Sequence, residues 1–283
     1  MPDLSATTPS LAPHDLVPAA LRRSLLATAL ALGAAPAAMA MVNVTVQVQS
    51  LTAANSVSFA PLHIGFNGGS FDAFNLGQTP GAAIISVAEG GAGGAWQAAF
   101  AAADPTATRG TVGGLLTPGA TASKTFLVDP LLNPFFTFAA MVVPSNDFFI
   151  GNDSPTRFRL FDAAGNQQIT QIGQKASQIW DAGSEVFDPA AAAFVGNNAL
   201  RANQNSVVSF NFAELAAFNG LTTGAGYQFN SGLTAGSDIY RISFNVSAVP
   251  EPTSLALMLA GLLGVGMLAR RRAPARARNI TAA

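Results

Sequence analysis

Val42-Asn43-Val44-Thr45-Val46-Gln47-Val48-Gln49 alternates apolar and polar side chains without a break. A period of two puts the four valines on one side of an extended chain and the amides and hydroxyls on the other, which defines a half-buried strand. The pattern returns near the other end, where Tyr240, Ile242, Phe244 and Val246 face one way and Arg241, Ser243, Asn245 and Ser247 the other. Alternation does not say whether these two strands pair. Between them, residues 62–66, 124–128, 135–143, 157–161, 167–172 and 207–212 read as strands from their β-branched and aromatic content. Asp162-Ala163-Ala164-Gly165-Asn166 supplies a hairpin connection between two of them. Helical periodicity is scarce. The expectation is an all-β fold, an antiparallel sandwich or barrel. Two stretches break the rhythm: the glycine-rich segment 88–103, with a short helix from Ala95, and residues 189–194, where Pro189 suits a first helical turn.

Composition narrows the function. The chain has 283 residues, only 10% of them charged and 49% apolar, which excludes a disordered polar chain and a nucleic-acid binder. Cysteine is absent, so there is no disulfide framework, thiolate metal site or cysteine nucleophile. The histidines are His14 and His63, and only His63 lies in the β-rich body. It sits in an apolar strand, where a core role outranks a catalytic one. The glycine run lacks both the Gly-x-Gly-x-x-Gly spacing and a following lysine, so it is a loop and not a phosphate cradle.

The basic residues are concentrated at the two ends. Arg22 and Arg23 precede the apolar run 24–35, which is too short to span a bilayer and is followed by Ala38-Met39-Ala40. Basic flank, short apolar run and small residues at −3 and −1 describe a secretory signal peptide over residues 1–40, cut after Ala40 by signal peptidase. The paired arginines also permit twin-arginine export, which ranks second because the fuller motif is incomplete. Residues 253–269 form a second uncharged run, closed by Arg270-Arg271-Arg272. As a helix it would be about 25 Å long, slightly short of a bilayer core, and would span with local thinning or arginine snorkelling. The positive-inside rule keeps the arginines and the tail 273–283 cytoplasmic and places everything before Thr253 outside. The body, residues 41–248, holds seven basic residues against twelve carboxylates, a net charge of −5.

Pro250-Glu251-Pro252 stands directly before the second apolar run. Two prolines at alternate positions keep the backbone extended, as a peptidase requires of its substrate. Pro-Glu-Pro, a short apolar helix and an arginine cluster, in this order over residues 249–272, closely resemble the PEP-CTERM sorting signal recognised by exosortases. The resemblance implies a Gram-negative bacterium, processing near Pro250–Pro252, transient anchoring through the 253–269 transmembrane helix, and delivery to the cell surface or extracellular polymer.

The carboxylates that invite a chemical reading are Asp147, in Pro144-Ser145-Asn146-Asp147-Phe148-Phe149, and the pair in Asp181-Ala182-Gly183-Ser184-Glu185. Gly183 allows a tight turn that brings Asp181 and Glu185 toward each other, which like charges resist unless a cation neutralises them. Hard oxygen ligands in a loop suit calcium, although such spacing alone equally describes a solvated loop. Leu51-Thr52, Phe59-Ala60-Pro61, His63, Gly69-Ser70-Phe71-Asp72-Ala73-Phe74-Asn75-Leu76-Gly77 and Val87-Ala88-Glu89-Gly90, followed by the two acidic segments, occur in the order of the spondin N-terminal domain, which this stretch resembles over roughly residues 42–246. That resemblance implies a C2-like sandwich of about eight antiparallel strands, and binding or adhesion rather than catalysis. It also implies structural calcium held by Asp147, Asp181 and Glu185, the last standing where the family usually has aspartate. Asp72 and Glu89 read as turn and cap residues. Phe148, Phe149 and Trp180 read as core ahead of a contact patch.

The expectation is therefore a non-enzymatic, exported and surface-sorted binding module. Its partners are exosortase, signal peptidase, the membrane, and an extracellular polysaccharide or cell-surface ligand. A self-assembling structural protein of the biofilm matrix ranks second. A secreted hydrolase ranks third, since two carboxylates suffice for a glycosidase but no nucleophile triad or metal-histidine motif is present.

Overall fold

The computed structural model describes residues 41–249, with 261–264 and 266. The leader 1–40, Pro250, Glu251, Pro252, Arg270, Arg271, Arg272 and the tail 273–283 lie outside the described residues, as does most of the expected membrane helix 253–269. Within that segment residues 261–264 and 266 are helical; among the described residues no helix is long and apolar enough to cross a membrane.

Eleven strands build the body: β1 Val42–Ser50, β2 Ser58–Phe59, β3 Leu62–Asn67, β4 Thr108–Val112, β5 Thr121–Val128, β6 Phe135–Val143, β7 Phe148–Gly151, β8 Gln171–Lys175, β9 Trp180–Asp181, β10 Ser209–Phe210 and β11 Asp238–Ala248. They form two antiparallel sheets. One has the order β5-β1-β11-β8; the other runs β10-β9-β7-β6-β3-β4, with β2 also on β6. The first and last strands do pair, from Val42 opposite Ala248 to Ser50 opposite Tyr240, and together they form the middle of the four-stranded sheet.

The sheets pack face to face because their inward positions are apolar. Val44, Val46 and Val48 of β1 and Tyr240, Ile242 and Phe244 of β11 share one buried cluster with Ile64, Phe66, Phe136, Phe138 and Val142 of the opposite sheet. The outward positions of β1 and β11 stay polar, so these strands alternate cleanly. Strand β6 does not alternate, for a structural reason. Phe136, Phe138, Ala140 and Val142 enter the inter-sheet core, whereas Ala139 belongs to a second cluster on the other face, formed with Ile84 and Val87 of α1 (Ala82–Gly90) and Trp96 and Phe100 of α2 (Gly94–Ala103). A strand covered on both faces reads as a continuous apolar run.

This helical layer sits close on the sheet. A Cβ at Gly65 of β3 would overlap the Phe100 ring, which stacks on Phe71 at 4.2 Å between centroids. His63, also on β3, is a core residue with 4% of its surface exposed. Its Nε2 lies 3.0 Å from the Gly91 carbonyl, to which it donates, and its Nδ1, 3.1 Å from Thr111 Oγ1, accepts. Burial holds its pKa below the ordinary value, against the opposing pull of the Gly91 carbonyl.

Several elements differ from the expectation. Residues 157–161 and 167–170 make isolated bridges, Phe135 with Arg159 and Phe161 with Gln167, and β8 begins only at Gln171. The 162–166 connection does close, with Asp162 Oδ1 accepting from the Ala164 and Asn166 amides at 2.8 and 2.9 Å. Residues 189–194 form turns and no helix, the Ala193 amide instead donating to the Ser145 carbonyl at 2.9 Å. Helix α2 starts one residue before Ala95, and α1 occupies a stretch in which no helix is expected.

Candidate functional site

Asp147 ends the β6–β7 connection and is 3% exposed. Its Oδ2 accepts three hydrogen bonds from the turn after β9: Ser184 N at 2.6 Å, Glu185 N at 3.0 Å and Ser184 Oγ at 3.2 Å. A return bond from Ala182 N to the Asp147 carbonyl, 3.1 Å, completes the clamp. Asp181 lies in β9, opposite Phe148 of β7 and Ser209 of β10. Its Oδ1 accepts from Gly183 N at 2.8 Å, an Asx turn. Gly183 has φ +67°, and a Cβ there would stand 2.7 Å from the Val207 carbonyl oxygen, so the turn requires glycine.

Glu185 engages a different partner. It is 2% exposed, and its Oε1 lies 3.1 Å from Arg201 Nε. That contact is an ion pair without hydrogen-bond alignment: both Glu185 oxygens and Arg201 Nε lack a hydrogen-bond partner, while Arg201 Nη2 donates to the Glu89 carbonyl. Burial pushes the Glu185 carboxyl up to about 7; Arg201 opposes the rise, and Glu89 and Asp147 add to it. Asp181 is raised to about 6, chiefly by burial and then by the Asp147 charge, with Gly183 N–H pulling back and Glu214 pushing further. Glu214 is raised as well, first by burial and also by Asp147, against the hydrogen bond it receives from Asn211.

The three acids expected to hold calcium are thus close in the fold but do not converge as ligands. Among the described residues no group of three or more Asp, Glu or His side chains could hold a metal ion. Asp147 Oδ2 is occupied by backbone and hydroxyl donors, Asp181 turns into its own loop, and Glu185 points to Arg201. The expected clustering rested on the Gly183 turn, which is present. The groups that answer its charge, the Ser184 and Glu185 donors and the Arg201 cation, carry no signature in the sequence.

Asp72 accepts from Asn75 Nδ2 at 2.9 Å, the turn role expected of it. Phe148 and Phe149 are core residues. Trp180 is buried, and its Nε1–H donates to the Gly151 carbonyl at 3.1 Å. Phe210 stacks on it with centroids 4.0 Å apart and remains 47% exposed. Both line a cavity of about 160 Å³ that also takes in Asp153, Arg157, Gln174 and Gln178. Phe210 belongs to a strand of only two residues, too short for periodicity to mark it as exposed.

The fold is a two-sheet β body with helices on one face, and its chain leaves the last strand at Ala248. Compared with protein families, residues 248–272 match the PEP-CTERM protein-sorting motif. The motif implies export with processing by an exosortase, from a membrane-anchored precursor. No curated protein matches the chain, and nothing found supports the spondin resemblance.

Proposed function

We propose that the chain is a precursor whose β-sandwich body, freed of both terminal segments, acts outside the cell as a binding module for extracellular polymer or another cell surface. The observation that carries this reading is the placement of the sorting motif against the fold. The motif begins at residue 248, the last residue of β11, and that residue pairs with Val42, the first residue of β1. Cuts after Ala40 and near Pro250–Pro252 would fall just outside this pair, so neither would remove a strand or a core side chain. A body closed at its own termini is suited to release.

This reading does not depend on calcium: among the described residues no group of three or more Asp, Glu or His side chains is placed to hold a metal ion. A C2-like relationship is likewise left to the resemblance. The test is expression in a Gram-negative host that carries an exosortase, with mass spectrometry of the extracellular fraction and retention assays on washed extracellular polymer. The expected product begins at Met41 and ends between residues 249 and 252, and it is retained by the polymer. Replacing Pro250, Glu251 and Pro252 by Ala should hold the precursor in the membrane. Cytosolic protein with both ends intact would overturn the export half of the reading; correctly cut protein that washes off the polymer would overturn the binding half.

A further inference from the structure

We infer that the cavity beside Trp180 and Phe210 binds one neutral hexopyranose residue of a polysaccharide. The inference deepens the binding role proposed above and rests on it. The cavity lies where two sheet edges come together, since Gln174 belongs to β8, the last strand of one sheet, and Phe210 to β10, the last strand of the other. Its volume of about 160 Å³, close to a cavity of about 150 Å³ that holds benzene, takes no more than one six-membered ring, with a sugar's hydroxyls at or beyond its mouth.

Three features define the ring. First, Phe210 offers an exposed aromatic face held in place by Trp180, which is itself fixed through its indole N–H to Gly151. A pyranose carries a face of C–H bonds that suits such a plate, as an apolar body with a polar rim suits aromatic side chains in general. Second, the cavity holds unused hydrogen-bonding capacity. Gln174 lines the cavity with 3% of its surface exposed, and its Oε1, buried and without a partner, gains one when the side chain turns toward a ligand donor, an omission otherwise worth about 1–3 kcal/mol. Gln178 spends its Oε1 on the Lys175 amide at 2.8 Å, and its Nε2 donates to no protein group among the described residues. One orphan acceptor and one free donor match hydroxyls, which both give and receive. Third, the rim has no net charge: Asp153 and Arg157 line the cavity with opposite signs, so neither an anionic nor a cationic guest is favoured by charge overall. A flat aromatic ligand would use the Phe210 plate and leave Gln174 unsatisfied.

Saturation-transfer NMR on the secreted, processed protein tests this, with glucose, galactose, mannose, N-acetylglucosamine and adenosine offered separately. The expected result is transfer to the ring C–H protons of at least one hexose, with a dissociation constant on the order of 1 mM. Phe210→Ala and Gln174→Leu should each weaken it by about tenfold. Phe210 is half exposed and stacks on Trp180, so its variant should melt only a few degrees below the wild type and stay folded at the assay temperature, which separates loss of the site from loss of the fold. Silence from every hexose, transfer to adenosine alone, or equal binding by wild type and Phe210→Ala would each overturn the assignment. Polymer retention, measured alongside, keeps the two readings apart. Retained protein that ignores both hexoses and the Phe210 substitution refutes this site and leaves the binding role standing. Protein that washes off the polymer yet binds a hexose through Phe210 does the reverse.

Discussion

Glu185→Gln replaces a buried carboxylate by an amide of the same shape and should make the protein more stable above neutral pH. The folded carboxyl titrates at about 7, against an ordinary value of 4.5. Between those two pH values the folded state holds a proton that the unfolded chain has released. Stability therefore falls as pH rises through the window, being complete below about pH 4.5 and lost above about pH 7. At 1.36 kcal/mol per pH unit the full loss is at most about 3 kcal/mol, an upper figure because solvent screening and local rearrangement soften the burial of the charge. Glutamine has no proton to lose and escapes this cost, while its oxygen still faces Arg201. For a body of this size about 3 kcal/mol corresponds to some 6–12 °C in melting temperature. Melting curves of the secreted protein at pH 5 and pH 8 should converge at the lower pH and separate at the higher, the variant melting later. Asp181 adds a slope of the same sign over the window from its ordinary 3.8 up to about 6, and His63, whose pKa is lowered, adds one of opposite sign below its ordinary 6.5. Both are common to the two proteins and cancel in the difference. Parallel melting profiles, or a variant destabilised at pH 8, would mean that Arg201 holds Glu185 ionised and that the argument from burial is wrong.

Asp147→Ala should destabilise the body by about 2–4 kcal/mol in urea titrations, because it strands the Ser184 and Glu185 amides in a buried turn; a change under about 0.5 kcal/mol would remove the clamp from the account. Calcium at about 1 mM, or a chelator, should shift the melting temperature by less than about 1 °C, and a rise of several degrees would restore a metal to the acidic corner. Gly65→Ala should cost about 1–3 kcal/mol through overlap with the Phe100 ring. Adding Phe100→Leu should then cost less than it does in the wild type, and strict additivity of the two changes would refute the contact.

The features that could be read from the chain share a physical trait: each is decided locally. Strands β1 and β11 alternate because one face meets the core and the other water, and β6 was legible from Phe135 to Val143 because uniform burial leaves a uniform apolar run. The sorting motif is linear text for a membrane peptidase and needs no fold to be read. What escaped depends on partners distant in sequence. Strand β4 reads Thr-Arg-Gly-Thr-Val and is a strand because β3 lies beside it. Helix α1 is capped by Gly81 with no side-chain cap and begins with no acidic residue, so none of the usual start signals is present.

The acidic corner shows the same divide within five residues. The turn at Gly183 follows from glycine's left-handed backbone, but the directions of its acids are set elsewhere. Asp147 reaches it from the β6–β7 connection, and Arg201 draws Glu185 away from Asp181. A cation and a set of amide donors are interchangeable answers to the same crowded negative charge, and spacing along the chain does not distinguish them. Only the position of the donors does. Here Ser184 N, Ser184 Oγ and Glu185 N converge on one Asp147 oxygen, so part of the negative charge that suggested an ion is met by the protein's own hydrogen bonds.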